Sequence, residues 1–156
     1  MSEVRFIADS MLGSLARWLR ILGFDTLYYR DIRDKDLVRL ARLQGRIIIT
    51  RDIGLSRSRK VDRIILVKSN GLKDQLKEFL QWIKGQGIKP CPFTLCPVCN
   101  GDVHPVDKFK VRNDVPEYIF LNTRSFYQCS NCGKVYWEGS HRKGIERVIN
   151  QINPME

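Results

Sequence analysis

Residues 47–60 read IIITRDIGLSRSRK, and the fold turns on this stretch. Ile47, Ile48 and Ile49 are β-branched and apolar in an unbroken run, the pattern of a strand covered on both faces. Such strands belong to parallel sheets with helices on either side. The run stops at Thr50-Arg51-Asp52, and Arg57, Arg59 and Lys60 follow within a few residues. A solvated loop could carry these charges. So could a site that holds metal with an acid and phosphate with bases.

The flanking sequence repeats the same unit. Residues 4–8, VRFIA, read as a short buried strand. In residues 11–22, Leu12, Leu15, Ala16, Leu19 and Leu22 share one helical face, with Ser10 placed to cap the start and Gly23 to end it. Asp25–Tyr29 forms a second strand. Residues 34–44 form a helix with Leu37, Leu40 and Ala41 inward and Gly45 at its end. Residues 46–50 are the third strand and 63–68, RIILVK, the fourth, with room for a turn of helix in 53–60. Residues 72–84 form a helix with Leu72, Leu76, Phe79, Leu80 and Ile83 facing in. The expected class is α/β, a mainly parallel sheet flanked by helices over residues 1–84. Residues 85–95 read as a linker, since GQGIKPCP (85–92) holds two glycines and two prolines. Residues 96–156 form a second, smaller module closed by a helix over 141–152, with Ile145, Val148, Ile149 and Ile152 on one face.

The 156 residues carry a net charge of +10. Residues 1–88 hold 18 Lys and Arg against 10 Asp and Glu, whereas residues 89–156 hold 9 against 7. The basic excess favours acidic partners, nucleic acid first among them, or serves as a solubilising surface. MSEVRFIADS lacks the pattern of a secretory signal, and no apolar run reaches the roughly 20 residues of a membrane span, so a cytoplasmic location is expected.

In a parallel sheet every strand-to-helix loop lies at one edge. Asp9 follows the first strand; Asp31, Asp34 and Asp36 follow the second; Asp52 follows the third. Carboxylates that converge repel one another, and a divalent cation relieves the repulsion. Hard oxygen ligands select Mg²⁺ or Mn²⁺, which suits attack of water on a phosphodiester. Two of the acids also have a plainer reading, Asp34 as a helix cap and Asp52 as a turn former, whereas Asp9 precedes the expected cap Ser10 and suits a capping role less. Residues 1–90 contain no His and no Cys, which removes histidine and cysteine nucleophile chemistry there. No G-x-G-x-x-G and no Walker-type loop occurs. An aspartyl phosphatase needs a second Asp two residues after the first, and Met11 stands there.

All five cysteines lie beyond residue 90. Cys96-Pro-Val-Cys99 and Cys129-Ser-Asn-Cys132 are two C-x-x-C knuckles, whose four thiolates satisfy tetrahedral Zn²⁺ and leave no open position. A structural zinc ribbon is expected, with Cys91 a partly buried thiol outside it. His104 and His141 read as structural. Tyr118, Phe126, Tyr127, Tyr136 and Trp137 could stack bases, but in so small a module they suit its core.

FIADSMLGSLARWLRILGFDT, DKDLVRLARLQGRIIITRD, CPVCN and YQCSNCGKVYWEGSH together resemble the PIN-like ribonuclease family named after the C-terminal domain of the exonuclease mut-seven. The resemblance runs from about Phe6 to about His141. It implies a PIN-like fold with an appended zinc ribbon, and an acidic cluster that binds Mg²⁺ or Mn²⁺ and cleaves RNA. By position, Asp9, Asp34 and Asp52 match the family's acids, with Asp36 the alternative to Asp34. A fourth acid would be Asp62 or Asp74. Arg17, Arg51 and Arg57 would then hold the RNA backbone, and Arg20 lies beside Arg17 on the first helix. The rival expectation is a non-catalytic RNA- or ribosome-binding protein with a remnant acidic site.

Overall fold

A computed structural model describes residues 3–152, leaving aside the side chains of Ser140, His141 and Ile152. Strands β1 (Phe6–Ala8), β2 (Thr26–Tyr28), β3 (Ile47–Thr50) and β4 (Ile64–Leu66) form one parallel sheet in the order β2-β1-β3-β4. Helices α1 (Gly13–Ile21) and α4 (Leu72–Gly85) lie on one face, while α2 (Asp34–Gln44) and the short α3 (Ile53–Ser56) lie on the other. Period-two alternation decides which strand residues meet which layer. Phe6, Ala8, Ile47, Ile49 and Ile65 pack against α1 and α4, whereas Ile7, Ile48 and Ile64 pack against Leu37, Ala41 and Leu55 of α2 and α3. Every residue of β3 is buried, as its triple isoleucine implies.

Two capping expectations are corrected. Ser10 does not cap α1: Asp9 caps the 3₁₀ turn Ser10–Leu12 ahead of it, accepting from the Ser10 N–H at 2.7 Å. Asp34 is the first residue of α2 rather than its cap, and its side chain makes no capping bond. A carboxylate one residue before the first helical turn reaches the free N–H groups better than one inside it.

The second module holds an antiparallel sheet of β5 (Val103–Val106), β6 (Phe126–Cys129) and β7 (Val135–Trp137). A 3₁₀ segment, Lys108–Asp114, and α5 (Glu117–Asn122) are inserted between β5 and β6, around a small core of Val111, Val115, Phe120 and Phe126. Helix α6 (Ser140–Ile152) packs its Ile149 against the larger core beside α4.

The segment joining the modules is bonded to α1. Cys91 N donates to Leu22 O at 2.9 Å, and Phe93 N to Ile21 O at 3.0 Å. Gly23 permits this approach: its φ is +90°, and a Cβ there would lie 2.1 Å from Cys91 O. Cys91 itself is exposed.

The first knuckle also covers the free edge of β2. Thr26 N donates to Asn100 Oδ1 at 3.0 Å, and Asn100 Nδ2 donates to Asp25 Oδ1 at 2.7 Å. Asp25 is held in turn by buried Arg46 at 2.7 Å. An edge strand left open would offer its N–H row to other chains.

Candidate active site and metal centre

The chain runs from β1 outward to β2 and then crosses back to β3 on the other side of β1. The carboxyl ends of β1 and β3 therefore flank the point where strand order reverses, the place where open α/β sheets bind ligands. Asp9 and Asp52 stand there. Asp9 is 4% exposed, and its N–H donates to Ile49 O at 2.9 Å. The buried hydroxyl of Thr50 joins the two loops: it donates to Asp9 Oδ2 at 2.8 Å and accepts from Asp52 N at 3.0 Å. Asp52 Oδ1 accepts from Leu55 N at 3.2 Å and caps α3. Asp52 thus combines the turn role with its position at the sheet edge.

Asp34 is exposed on the first turn of α2. Its carboxyl pKa is raised by desolvation, and then by the negative charges of Asp9 and Asp52. The three expected acids therefore share one electrostatic neighbourhood. They are not gathered into a tight ligand set, because the only group of three or more metal-ligating side chains with atoms within 4.8 Å of one another, among the described residues, is the cysteine one. Asp36 lies on the same turn as Asp34 and is half-buried. Asp62 precedes β4 and so lies toward the opposite edge of the sheet, whereas Asp74 begins α4 on the acidic side.

The basic residues divide. Arg51 Nη2 bonds Asn70 Oδ1 and ties the loop after β3 to the loop after β4, while its Nε is buried with no partner. Arg57 ends α3 and is exposed, as are Arg59 and Lys60. Arg17 faces a groove between α1 and the cysteine module. Arg20, grouped with Arg17 as a surface base, is 7% exposed. Its Nε donates to Thr26 O at 2.9 Å, and its Nη1 donates to Pro97 O at 3.0 Å and Val98 O at 3.2 Å. Sequence periodicity missed this strut because two of its three acceptors lie in the first knuckle, far along the chain.

The cysteine centre is compact. Sulfur separations are 3.8 Å for Cys96–Cys132 and 3.4 Å for Cys99–Cys129. Tetrahedral zinc with bonds of about 2.3 Å needs about 3.8 Å between sulfurs, so the four residues fit the ion and could hold it. Residues after each knuckle take left-handed conformations, Asn100 at φ 67° and Gly133 at φ 78°, which turns backbone N–H groups back toward the sulfurs. Asn131 N and Cys132 N donate to Cys129 Sγ at 3.4 and 3.5 Å. A side chain at Gly101 would strike Asn131 Cβ at 2.7 Å and Cys129 Sγ at 2.9 Å.

Four thiols cannot all ionise in one place without a cation. Desolvation acts to raise the Cys99 pKa, but hydrogen bonds from Asn131, Gly101 and the neighbouring thiols bring it down to about 6. At Cys132 the Lys134 N–H works downward, yet burial and the other three cysteines push the thiol up to about 11. Tyr136 lies 2.9 Å from Cys96 Sγ, and burial followed by that hydrogen bond raises its phenol well above the usual range. His104 is exposed on β5, and the side chain of His141 lies outside the described residues.

No described helix is long and apolar enough to cross a membrane. No curated protein and no solved structure matches the chain. A family model described as the Mut7-C RNAse domain matches residues 4–149, spanning both the parallel sheet with its acidic edge and the four-cysteine module. The chain therefore belongs to the Mut7-C RNAse domain family.

Proposed function

We propose that this chain is a metal-dependent ribonuclease of PIN-like fold, hydrolysing RNA phosphodiesters at Asp9, Asp34 and Asp52 while a zinc ion on Cys96, Cys99, Cys129 and Cys132 holds the second module together. The observation that carries the reading is the Thr50 hydroxyl joining Asp9 to the Asp52 loop at the strand-order reversal. Asp9 is held by three donors, the Ser10 N–H and hydroxyl and the Thr50 hydroxyl, so its orientation is set before any ligand arrives. Asp34 is exposed on the first turn of α2; desolvation first, and then the charges of Asp9 and Asp52, raise its pKa, and a cation would relieve that repulsion. Mg²⁺ needs only one or two carboxylates and keeps several waters, so a loose acid set fits it. When bound, Mg²⁺ or Mn²⁺ would activate a water and offset charge on the phosphate. Arg51 fixes the loop beside Asp52, and Arg57 is free to meet a phosphate.

The test is cleavage of end-labelled single-stranded RNA in Mn²⁺ by wild type, Asp9→Asn and Asp52→Asn. Cleavage by wild type, lost by at least about 100-fold in either variant, supports the reading. Equal cleavage by all three refutes the site. That the acids form no tight ligand set among the described residues also suits a second reading, RNA binding without turnover, which predicts retained RNA affinity in both variants and no cleavage by wild type.

A further inference from the structure

Between α1 and the cysteine module runs a groove of about 990 Å³. Arg17, Trp18, Phe93, Tyr118, Tyr127 and Lys134 are among the residues that line it. We infer that this groove receives the unpaired bases of a single-stranded RNA, with Tyr118 as a stacking platform and Arg17 and Lys134 as phosphate partners.

Tyr118 is the first reason. Phe126 meets Trp137 with ring centroids 6.4 Å apart, Phe120 is buried, and Phe109, though exposed, rests its ring against Phe120 at 5.7 Å. Tyr118 is 74% exposed at the rim, and its ring packs against no other aromatic among the described residues. A free aromatic face at the rim of a groove offers a surface on which a base can stack. Charge selects the occupant. Glu138 lies in the groove but is paired with Arg142 at 2.8 Å. Arg142 is engaged further, stacked 4.3 Å from the Phe93 ring centroid. Arg17 and Lys134 remain without a carboxylate partner among the described residues, Lys134 resting its ammonium 5.8 Å from the Tyr136 ring centroid. Aromatic faces with unpaired cations are the combination that binds single strands without regard to sequence. An apolar protein segment would not need the two cations.

The groove is separate from the acidic edge. Arg17 lies on α1, Asp9 precedes the 3₁₀ turn ahead of that helix, and none of Asp9, Asp34 and Asp52 lines the groove. The choice of RNA as ligand rests on the ribonuclease reading, but the binding itself does not require cleavage.

The experiment is fluorescence anisotropy of a labelled single-stranded RNA 12-mer with the zinc-loaded full chain, in buffer free of Mg²⁺ and Mn²⁺. Tyr118→Ala should weaken binding about tenfold, with Tyr118→Phe within twofold of wild type. Arg17→Ala should flatten the salt dependence by about 0.7 in log–log slope, the contribution of one phosphate contact on a single strand. Circular dichroism checks that each variant folds. Unchanged affinity in Tyr118→Ala, absence of binding by wild type, or competition by duplex RNA as strong as by single strands would overturn the inference. The two readings fail separately. Asp9-dependent cleavage with an indifferent Tyr118 leaves the nuclease and removes the groove. Tyr118-dependent binding in a chain that never cleaves does the reverse.

Discussion

Arg20→Met should loosen the joint between the two modules. The methionine keeps the apolar stem, so the change removes the guanidinium and little packing. Three carbonyls lose their donor: Thr26 O, Pro97 O and Val98 O. Thr26 is fully buried, so no water replaces the bond there. A hydrogen bond from a charged donor is worth about 1.5–3 kcal/mol, and the two Nη1 bonds share one nitrogen and do not add fully. Desolvation works the other way, lowering the Arg20 pKa, while the charges of Cys99, Cys96 and Asp25 partly restore it. The net loss is therefore about 2–3 kcal/mol, at the lower end of the sum. For a chain of this size that corresponds to a fall in Tm of about 4–12 °C. Calorimetry of the zinc-loaded protein measures it, and transfer of zinc to a chromogenic chelator gives a second readout. The knuckle carries Cys96 and Cys99, so its release should speed transfer several-fold. A Tm within about 2 °C of wild type, with unchanged zinc transfer, would refute the view that Arg20 couples the knuckle to β2.

Three other perturbations follow from the geometry. Thr50→Val removes the hydroxyl between Asp9 and Asp52 N, and should cost about 1–3 kcal/mol in urea unfolding, with Thr50→Ser recovering most of it. Gly23→Ala sets a Cβ against Cys91 O in a left-handed backbone, and should lower stability by about 3 kcal/mol or prevent folding, read by the yield and Tm of the purified chain. Glu78 accepts from Lys68 N at 2.9 Å and Ser69 N at 2.8 Å. Desolvation raises its pKa, but the Ser69 hydroxyl and these two N–H groups outweigh it and bring the carboxyl below its ordinary 4.5. A depressed folded pKa stabilises fully above the unfolded value and fades as pH falls through the folded one. The urea midpoint of Glu78→Gln should accordingly trail wild type at neutral pH and converge with it only as pH falls through the lowered carboxyl pKa. A gap that persists in acid would show that the hydrogen bonds do not depend on the charge.

Sequence alone determined what rests on local pattern. Three isoleucines in a row require cover on both faces, and both faces of β3 are covered. Gly45 in a left-handed conformation ends α2 where the pattern placed it. The spacing of two C-x-x-C pairs specifies a tetrahedral sulfur site, because each knuckle is a closed local turn. The parallel order of strands brings Asp9 and Asp52 to one edge whatever the details of packing. Tertiary structure decided the fate of individual charges. Arg17 and Arg20 look alike on the helical wheel, yet one faces a groove and the other is buried as a strut. Asp9 caps a 3₁₀ turn that the periodicity of α1 does not reveal, and Asp34, the expected cap, makes no capping bond. The cover over the edge of β2 comes from Asn100, whose asparagine signals only a turn in sequence. Local propensity is set by neighbours within one turn of chain, but the partner of a charge or a strand edge is set by whatever the fold brings beside it from far along the sequence.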